Sequence, residues 1–277
     1  MLDYLVIENI IQNSLKEDIG LGDLTTNSIF LDEEGTGIFS AKDVGIIAGL
    51  PLISQVWHKI NPNLKFESYV NDGEEVIIGQ KIAIVQGNIR SILTGERVAL
   101  NFLQRLSGIA TLTSKYVEEV KDYKVKVVDT RKTTPGLRVL EKYAVRKGGA
   151  RNHRLSLDNA VMIKDNHIEG CGSITEAVRR VRSNIPITTK IEVETKNLRE
   201  VEEALKVGVD IIMLDNMEPK MMEEAVIKIG GLALVEASGG INLKNIKEVA
   251  KTGVDIISVG ELTHSAKALD ISLNIKL

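Results

Sequence analysis

A near-repeat in the second half of the chain constrains its fold more than any other feature. The segment KVGVDII at residues 206–212 returns as KTGVDII at residues 251–257, a shift of 45 residues. Apolar runs such as DIIMLD and DIISVG are typical of parallel strands covered by helices on one face and buried on the other. The shift holds two strand–helix units. Buried strands are predicted to begin near Val125, Ala160, Thr189, Val209, Leu232 and Val254.

Helical patterns separate these strands. The segments are ITEAVRRVRSN, NLREVEEALKVG, EPKMMEEAVIKIG and NLKNIKEVAKTG. Alternating units of this length predict a parallel α/β domain. A barrel, open or complete, is favoured over an open dinucleotide-binding sheet because no GxGxxG sequence follows any of the strands.

The first half of the chain follows a different pattern. Residues 35–95 contain short β units, among them GTGIFSAKD, GIIAGLPL, LKFESYV, EEVIIG and KIAIVQG, separated by turn sequences. An amphipathic helix is predicted before them, and a second one from about Leu93 to Val120. The stretch VNDGEEVIIGQKIAIVQG resembles the hammerhead of biotinyl and lipoyl carriers but lacks the lysine in its turn, so it is interpreted as a plain β scaffold.

Composition excludes several classes of protein. The net charge is −3, aromatic residues make up 4% of the chain, and no apolar run approaches the roughly 20 residues that span a bilayer. Nucleic-acid binding and membrane insertion are therefore not expected. The single cysteine, Cys171, excludes an internal disulfide and a multi-cysteine metal site, and it has no nearby base to make it a nucleophile. A soluble cytoplasmic protein is expected.

Polar and charged residues follow all six predicted strands. In a β/α barrel the active site lies at the carboxyl ends of the strands, so a shared site is predicted there. The residues are Arg131, Lys132, Thr133; Lys164, Asp165, Asn166, His167; Glu192, Glu194; Asp215, Asn216; Glu236, Ser238, Gly239, Gly240; and Gly260, Glu261.

Alternation along a strand separates two of the carboxylates. Glu192 and Glu194 lie on one face of the strand KIEVET. Glu194 is nearer the carboxyl end and is expected to meet substrate. The deeper Glu192 is expected to pair with a barrel lysine such as Lys190.

Positive charge is concentrated in residues 131–167. This segment holds nine Lys and Arg against three acids, within a chain of net charge −3, and therefore indicates a local anion site. On the predicted helix GLRVLEKYAVRKGG, Lys142 and Lys147 are interpreted as surface cations, and Arg146 is left open between a solvated and a functional position. The remaining candidates are Arg131, Lys132, His153, Arg154 and Lys164.

The last two strands offer a second anion site. ASGGI and SVGEL each place glycine before a predicted helix, where backbone N–H groups and the helix N-terminus favour phosphate. Phosphate at one end and cations at the other, with carboxylates between them, indicate a phosphorylated sugar beside an acidic co-substrate. Glu194 and Asp215 are then expected to face ribose hydroxyls or a Mg²⁺ ion carried by a pyrophosphate.

One long stretch, DTRKTTPGLRVLEKYAVRKGGARNHRLSLDNAVMIKDNHI, resembles the quinolinate phosphoribosyltransferase family. The likeness extends over nearly the whole chain, through EDIGLGDLTT, AGLP, GERVALNFLQRLSGIAT, IEVET, MLDN, EASGGI and SVGELTH in order. It implies transfer of phosphoribosyl from phosphoribosyl pyrophosphate (PRPP) to quinolinate with decarboxylation, Mg²⁺ accompanying PRPP, and a homodimer.

The resemblance also implies an architecture. Residues 1–105 would form an N-terminal α/β sandwich domain, and residues 106–277 an open, incomplete parallel β/α barrel whose last residues could return to the first domain. Arg97, of the GER sequence, would reach into the active site of the partner subunit.

The implied site residues fall into three groups. The catalytic residues would be Lys132, Lys164, Glu194 and Asp215, of which Glu194 and Asp215 would also approach the metal indirectly, through PRPP. The quinolinate pocket would consist of Arg97, Thr130, Arg131, Lys132, Thr133, His153, Arg154 and Lys164. The PRPP and phosphate residues would be Glu194, Asp215, Ser238, Gly239, Gly240, Ser258, Val259 and Gly260.

Three other functions stay open from sequence alone. A barrel aldolase or lyase could form a Schiff base through Lys164. A phosphoribosyltransferase-like protein of altered specificity, such as those found with molybdate transport, would share the pattern. A non-catalytic phosphate-binding protein would leave the cations and carboxylates unexplained.

Overall fold

The computed structural model describes residues 4–277, which divide into two compact units. The first contains the chain up to Ser114 together with Thr133–Gly149 and Leu262–Leu277. The second contains Lys115–Lys132 and Ala150–Glu261. Within the described residues, the helices lack the combination of length and apolar character that a membrane crossing requires.

The first unit is built on a four-stranded antiparallel sheet. Its strands, in spatial order, are β12 (Ile271–Lys276), β1 (Glu34–Ala41), β5 (Lys81–Asn88) and β3 (Lys65–Ser68). A two-stranded antiparallel ribbon accompanies it, formed by β2 (Gly45–Ile46) and β4 (Glu75–Val76). The last strand of the chain is thus an edge strand of this sheet, paired with the first.

Helices cover this sheet. They are α1 (Tyr4–Ile19), α2 (Leu24–Ile29), α3 (Leu50–Ile60), α4 (Ile89–Glu119), most of which belongs to this unit, and α5 (Arg138–Lys147). The predicted helices before and after the β region are confirmed. Between them, however, the prediction of β structure for GLPL is wrong, because α3 begins there.

Local chemistry explains the start of α3. Pro51 lies in its first turn, where a missing N–H group costs nothing. The carboxylate of Asp72 accepts hydrogen bonds from the backbone N–H groups of Gly49, at 2.8 Å, and Leu50, at 3.0 Å. A side chain from a distant loop therefore caps the helix, and this is a contact that the local sequence does not reveal.

An aromatic cluster anchors α3 in the core of the first unit. Trp57 is 1% exposed, and its ring centroid lies 5.4 Å from that of Phe39 in an edge-to-face arrangement and 6.1 Å from that of Phe66 in a stacked one. The indole N–H donates to the carbonyl of Ile92 at 3.2 Å, so its one polar group is satisfied.

Helix α5 buries charged residues. Glu141 is fully buried and accepts hydrogen bonds from the guanidinium of Arg105, at 2.8 Å, and the backbone N–H of Thr134, at 3.0 Å. Lys142 is only 1% exposed, so the prediction that it is a surface cation is wrong. Lys147 is half-buried and donates to the backbone carbonyl of Asp72 at 3.2 Å. Packing within the unit, which the helical period alone does not specify, turns this charged face inward.

The second unit is built on six parallel strands, and the predicted strand starts are confirmed to within two residues. In spatial order they are β6 (Lys126–Val128), β11 (Ile256–Ser258), β10 (Leu234–Ser238), β9 (Ile211–Asp215), β8 (Ile191–Thr195) and β7 (Val161–Ile163). The edge strands β6 and β7 do not pair with each other, so the barrel is open, as expected from the sequence.

Helices alternate with these strands. They are α6 (Asp165–Cys171), α7 (Ile174–Arg182), α8 (Leu198–Lys206), α9 (Pro219–Ile229) and α10 (Ile246–Lys251), and the short α11 (Glu261–His264) follows β11. Ser173 and Asn197 cap α7 and α8 by accepting from backbone N–H groups three residues on. On the strands, Val193, Leu214, Ala237 and Ile257 are fully buried, as expected for the face under the helices.

We predict that Gly108→Ala destabilises the protein. An ideal Cβ at this position of α4 would lie 1.9 Å from the backbone carbonyl oxygen of Lys267, so the backbone must shift. Overpacking of this kind lowers the free energy of unfolding by about 1–3 kcal/mol, which thermal denaturation measures. The control is Gly170→Ala in α6, where nothing lies within 4 Å of the added Cβ. Equal melting temperatures for the two variants would contradict the close approach.

Candidate active site

The carboxyl ends of the six parallel strands meet at one edge of the sheet. The pairing register places Asp215 beside Ser238 on the neighbouring strands β9 and β10. On β11, Ser258 lies beside Val128 of β6. Two of the residues expected near ribose and phosphate, Asp215 and Ser238, are therefore direct neighbours across the sheet.

Successive side chains of β8 point to opposite faces of the sheet. Val193 and Thr195 are fully buried on the face against which α8 packs. Glu192 and Glu194 share the other face, the interior of the open barrel. Glu192 is 2% exposed, whereas the side chain of Glu194 is 10% exposed. Glu192 therefore lies deeper in the barrel, and Glu194 lies nearer its mouth.

Lys164 and Glu194 form an ion pair at the ends of β7 and β8. The Lys164 Nζ lies 2.8 Å from Glu194 Oε2, and the lysine side chain is about half exposed. The backbone N–H of Lys164 donates to Nδ1 of His167 at 2.9 Å, which fixes the first turn of α6. Two of the residues assigned to catalysis are thus brought together.

The segment Asn152–Arg154 is held against the edge strand β6. The backbone of Arg151 donates to the carbonyl of Val127 at 3.0 Å, which makes a short parallel bridge beside the strand. Asp129, fully buried just after β6, accepts from the side-chain amide of Asn152 at 2.6 Å and from the backbone N–H of His153 at 2.8 Å. One carboxylate thus fixes both residues that precede Arg154.

The ring of His153 enters the interior of the barrel and meets two carboxylates. Its Nε2 lies 3.2 Å from Glu192 Oε2 and 3.2 Å from Glu236 Oε2. Glu236, on β10, is fully buried, and the side chain of His153 is 14% exposed. Among the described residues, these three form a group whose candidate ligand atoms all lie within 4.8 Å of one another. We call it the His–Glu–Glu cluster.

His153 and Glu192 hold protons more tightly than isolated groups would. Burial lowers the pKa of His153, but the two carboxylates raise it to about 10. Burial also raises the pKa of Glu192; His153 opposes that rise and Glu236 adds to it. Because the backbone N–H of Arg154 donates to Nδ1 of His153 at 2.8 Å, a second ring proton would displace this bond. His153 and Glu192 titrate as a pair.

The guanidinium of Arg154 lies beside Glu192 of this cluster, and that of Arg131 lies beside Arg154. Burial lowers the pKa of Arg154, the positive charge of Arg131 lowers it further, and Glu192 raises it. Arg154 donates to the carbonyl of Ala160 at 3.2 Å. The Nε of Arg131 is buried and has no hydrogen-bond partner among the described residues. Two neighbouring cations, one with an unused buried donor, form a site suited to an anion with several oxygens.

The first glycine loop has a geometry that requires glycine. Gly239 has φ +92°, and a Cβ there would lie 2.3 Å from the side-chain oxygen of Asn216. Asn216 itself has a positive φ of 54° and donates through its backbone N–H to the carbonyl of Ser238 at 2.9 Å. Its side-chain amide donates to Asp215 Oδ2 at 2.9 Å. The ends of β9 and β10 are thereby joined.

The helix after this loop begins later than predicted. The sequence placed a helix directly after ASGGI, whereas α10 begins only at Ile246. Two asparagine side chains in the intervening turn, Asn242 and Asn245, donate to the carbonyl of Gly240. The prediction of a helix N-terminus next to Gly240 is therefore wrong, because a turn follows Gly240 instead.

The second glycine loop is only partly available to a ligand. The backbone N–H of Val259 donates to the carbonyl of Val128 at 2.9 Å, so it is committed to the sheet. Ser258 is 6% exposed, with its hydroxyl 3.5 Å from the carbonyl of Ala237. After Gly260, α11 begins at Glu261, as expected for SVGEL.

The other residues assigned to quinolinate have these positions. In the second unit, Thr130 is half-buried and its hydroxyl accepts from the backbone N–H of Lys132, whose side chain is exposed. In the first unit, Arg97 is exposed on α4, and Thr133 is half-buried and accepts from Nε of Arg138 at 3.0 Å.

Sequence reasoning missed the roles of Asp129, Glu236 and Glu192. The expectation that Glu192 pairs with Lys190 is wrong, because Lys190 pairs with Asp210 at 2.7 Å. Strand alternation does place Glu236 on the same face as Ser238. Strand alternation does not reveal, however, that His153 from another loop lies between Glu192 and Glu236.

Comparison with known proteins identifies the family. Residues 23–107 match the model of the quinolinate phosphoribosyl transferase N-terminal domain, and residues 109–274 match that of the C-terminal domain. Together the two models cover most of the chain.

Individual relatives agree with these matches. The chain is 48% identical over 275 residues to the "Probable nicotinate-nucleotide pyrophosphorylase (carboxylating)" of Synechocystis sp., covering 98% of this chain and 93% of the relative. It is 43% identical to the Bacillus subtilis protein of the same description, covering 100% and 96%. The crystal structure of NadC from Streptococcus pyogenes superposes with a TM-score of 0.96 at 42% identity, covering 100% and 98%. The chain belongs to the quinolinate phosphoribosyltransferase family.

Proposed function

We propose that the chain transfers phosphoribosyl from PRPP to the ring nitrogen of quinolinate and releases one carboxylate as CO₂. The products are nicotinate mononucleotide and pyrophosphate, and the reaction is a step of NAD biosynthesis. Relatives that match nearly the whole chain carry the corresponding names, among them a decarboxylating quinolinate phosphoribosyltransferase of Nicotiana glauca. The observation that carries the proposal is the pair Arg131 and Arg154. The two positive charges repel each other, and the buried Nε donor of Arg131 has no hydrogen-bond partner among the described residues.

Quinolinate is a pyridine with two adjacent carboxylates. Two guanidinium groups at one edge of a sheet suit such a dianion, because each can donate two parallel hydrogen bonds to a carboxylate. Lys132 follows the edge strand β6 and Lys164 follows the edge strand β7, and both add positive charge. We assign the dicarboxylate to this cationic group.

The phosphoribosyl substrate is assigned to the carboxylates and glycine loops. Glu194 and Asp215 stand at the ends of adjacent strands, where their oxygens can accept from ribose hydroxyls. The loop Ser238–Gly240 brings backbone close to a ligand because Gly239 carries no side chain. Gly260 belongs to the second loop, but the N–H of Val259 is taken by the sheet, so we assign phosphate chiefly to the first loop.

The proposed reaction depends more on electrostatic stabilisation than on acid–base catalysis. When the bond from ribose C1 to pyrophosphate breaks, positive charge develops on the sugar, and nearby carboxylates stabilise it. After transfer, the positively charged pyridinium accepts the electron pair left by the departing CO₂, and that carbon then takes up a proton. Lys132 and Lys164 are both candidates for the proton donor, and we do not assign the step to either of them.

Mg²⁺ is part of the proposal as a companion of PRPP. Glu194 and Asp215 supply the hard carboxylate oxygens that Mg²⁺ prefers. Their carboxylates are also engaged by Lys164 and Asn216, which fits an indirect contact through PRPP or water. When bound, the ion would neutralise charge on the departing pyrophosphate.

A homodimer in the cytoplasm completes the proposal. Arg97 is exposed on α4 of its own chain, as a residue that reaches into the active site of a partner subunit must be. The single Cys171 suits a reducing compartment.

The alternative functions are not favoured. A Schiff-base lyase would use Lys164 as its nucleophile, but Glu194 engages that amine, and the relatives carry phosphoribosyltransferase names. A relative of altered specificity differs only in the base that it accepts. Replacing quinolinate by nicotinate in the assay separates that case.

We predict that the purified protein forms nicotinate mononucleotide from quinolinate and PRPP. Chromatography of the nucleotide and a coupled assay for pyrophosphate measure the reaction. Activity is expected to be lost with EDTA and restored by Mg²⁺. Turnover of nicotinate in place of quinolinate, or trapping of a Schiff base by borohydride without PRPP-dependent pyrophosphate release, would overturn the proposed reaction.

We predict that Arg154→Ala weakens quinolinate binding far more than PRPP binding. Removal of a charge-assisted bidentate contact is expected to raise the KM for quinolinate by about tenfold or more, with the KM for PRPP changed less than about twofold. Steady-state kinetics with each substrate varied in turn measures both constants. Equal losses for the two substrates would refute the assignment.

We predict that Arg97→Ala and Lys164→Ala, each inactive alone, recover activity when mixed. If Arg97 acts across the subunit interface, a mixed dimer contains one site with both residues intact, so activity approaches about one quarter of wild type for random exchange. Native mass spectrometry of mass-tagged subunits confirms exchange. No recovery despite exchange would show that Arg97 serves its own chain.

A further inference from the structure

Two carboxylates inside the open barrel have no substrate role in the proposed function. Glu192 is 2% exposed and Glu236 is fully buried; Oε1 of Glu192 and both carboxylate oxygens of Glu236 have no hydrogen-bond partner among the described residues. Burying a carboxylate costs folding free energy unless a charged or polar group lies next to it. The partner common to both is His153, whose Nε2 lies 3.2 Å from each.

His153 transmits this contact to the neighbouring arginine. Its Nε2 side faces the two glutamates, and its Nδ1 accepts the backbone N–H of Arg154 at 2.8 Å. The ring nitrogens are therefore engaged within the protein, one on the glutamates and the other on the backbone of Arg154. A ring turned away from the glutamates would release the bond that fixes the start of Arg154.

The position of the chain makes this contact necessary. The segment Asn152–Arg154 lies beside the edge strand β6, where the barrel is open and no further strand completes it. Asp129 holds this segment through its backbone and through Asn152. The ring of His153 reaches across to β8 and β10, so the two glutamates set the position of the segment relative to these strands.

We propose that Glu236, together with Glu192, is a positioning residue for the dicarboxylate pocket. The two glutamates hold the His153 ring, and the ring holds the backbone of Arg154 so that its guanidinium stands beside that of Arg131. This inference rests on the proposed function for the identity of the dicarboxylate. The contacts from Glu236 to Arg154 are properties of the fold alone.

The same three side chains also have the composition of a metal site. The positive charge of Arg154 next to Glu192 and that of Arg131 next to Arg154 oppose a bound cation. They favour instead a proton-bearing ring between two carboxylates. We therefore interpret the His–Glu–Glu cluster as an electrostatic support for the His153 ring.

The test is a double-mutant cycle. Glu236→Gln is expected to raise the KM for quinolinate by about tenfold and to change the KM for PRPP less than about twofold. In a His153→Gln background, Glu236→Gln is expected to add less than about twofold, because the residue through which it acts is already lost. Should His153→Gln fail to fold, Arg154→Ala takes its place in the cycle. Independent, multiplicative effects in the cycle would overturn the proposal.

The matched control is Asp210→Asn. Asp210 is a partly buried carboxylate of the same sheet that pairs with Lys190 and the backbone of Ile191, away from the cluster. Its substitution is expected to lower the melting temperature without a selective rise in the KM for quinolinate. If Asp210→Asn and Glu236→Gln shift both KM values alike at matched stability, Glu236 has only a structural role and the proposal fails.

A spectroscopic measurement keeps the inference separate from the proposed function. In protein labelled with ¹⁵N-histidine, Glu236→Gln is expected to shift the ring signals of His153, assigned by their absence in His153→Gln, and to leave the other three histidines unchanged. An unchanged His153 signal would overturn the positioning role whatever the substrate. Metal analysis of the wild type completes the test, because a stoichiometric ion lost in Glu236→Gln would make the cluster a metal centre. Absence of quinolinate turnover in the wild type, by contrast, would overturn only the proposed function.

Discussion

Two buried glutamates facing one histidine hold together the functional edge of the second unit. Among the described strands, β6 and β7 are the two edges of the open barrel, and the loop that follows Arg151 lies against β6. Glu192 and Glu236 are buried where an apolar layer would otherwise fill a barrel. The ring of His153 lies 3.2 Å from each carboxylate, and its other nitrogen accepts from the backbone of Arg154. The contact that supports the loop is thus also the contact that places Arg154.

In the first unit, too, carboxylates hold distant segments of the chain in place. Asp72 caps α3 from a distant loop, and Glu141 collects donors from Arg105 and Thr134 inside the unit. In both units a buried carboxylate organises backbone and side-chain donors that would otherwise be unpaired. The apolar core of the first unit includes the buried Trp57, whereas Asp72 and Glu141 hold particular backbone N–H groups in place.

The alternation of strands and helices could be predicted from the sequence because it depends on local periodicity. The predicted strand starts lie within two residues of the observed ones, since apolar runs bounded by charged residues mark buried parallel strands. The helix α3 was missed because its sequence is as apolar as a strand and its cap comes from Asp72, far along the chain. The delayed start of α10 was missed for a similar reason, because side chains in the turn stabilise a non-helical backbone after Gly240.

The sequence by itself determined the α/β class, the edge at which polar residues collect, and the resemblance to one family. Those properties depend on local pattern and on the order of short segments. Only the tertiary structure decided that Lys142 is buried, that Lys190 pairs with Asp210, and that Glu192 and Glu236 meet His153. Burial and pairing depend on which distant segments pack together, and residues far apart in the chain carry no local sign of their future neighbours.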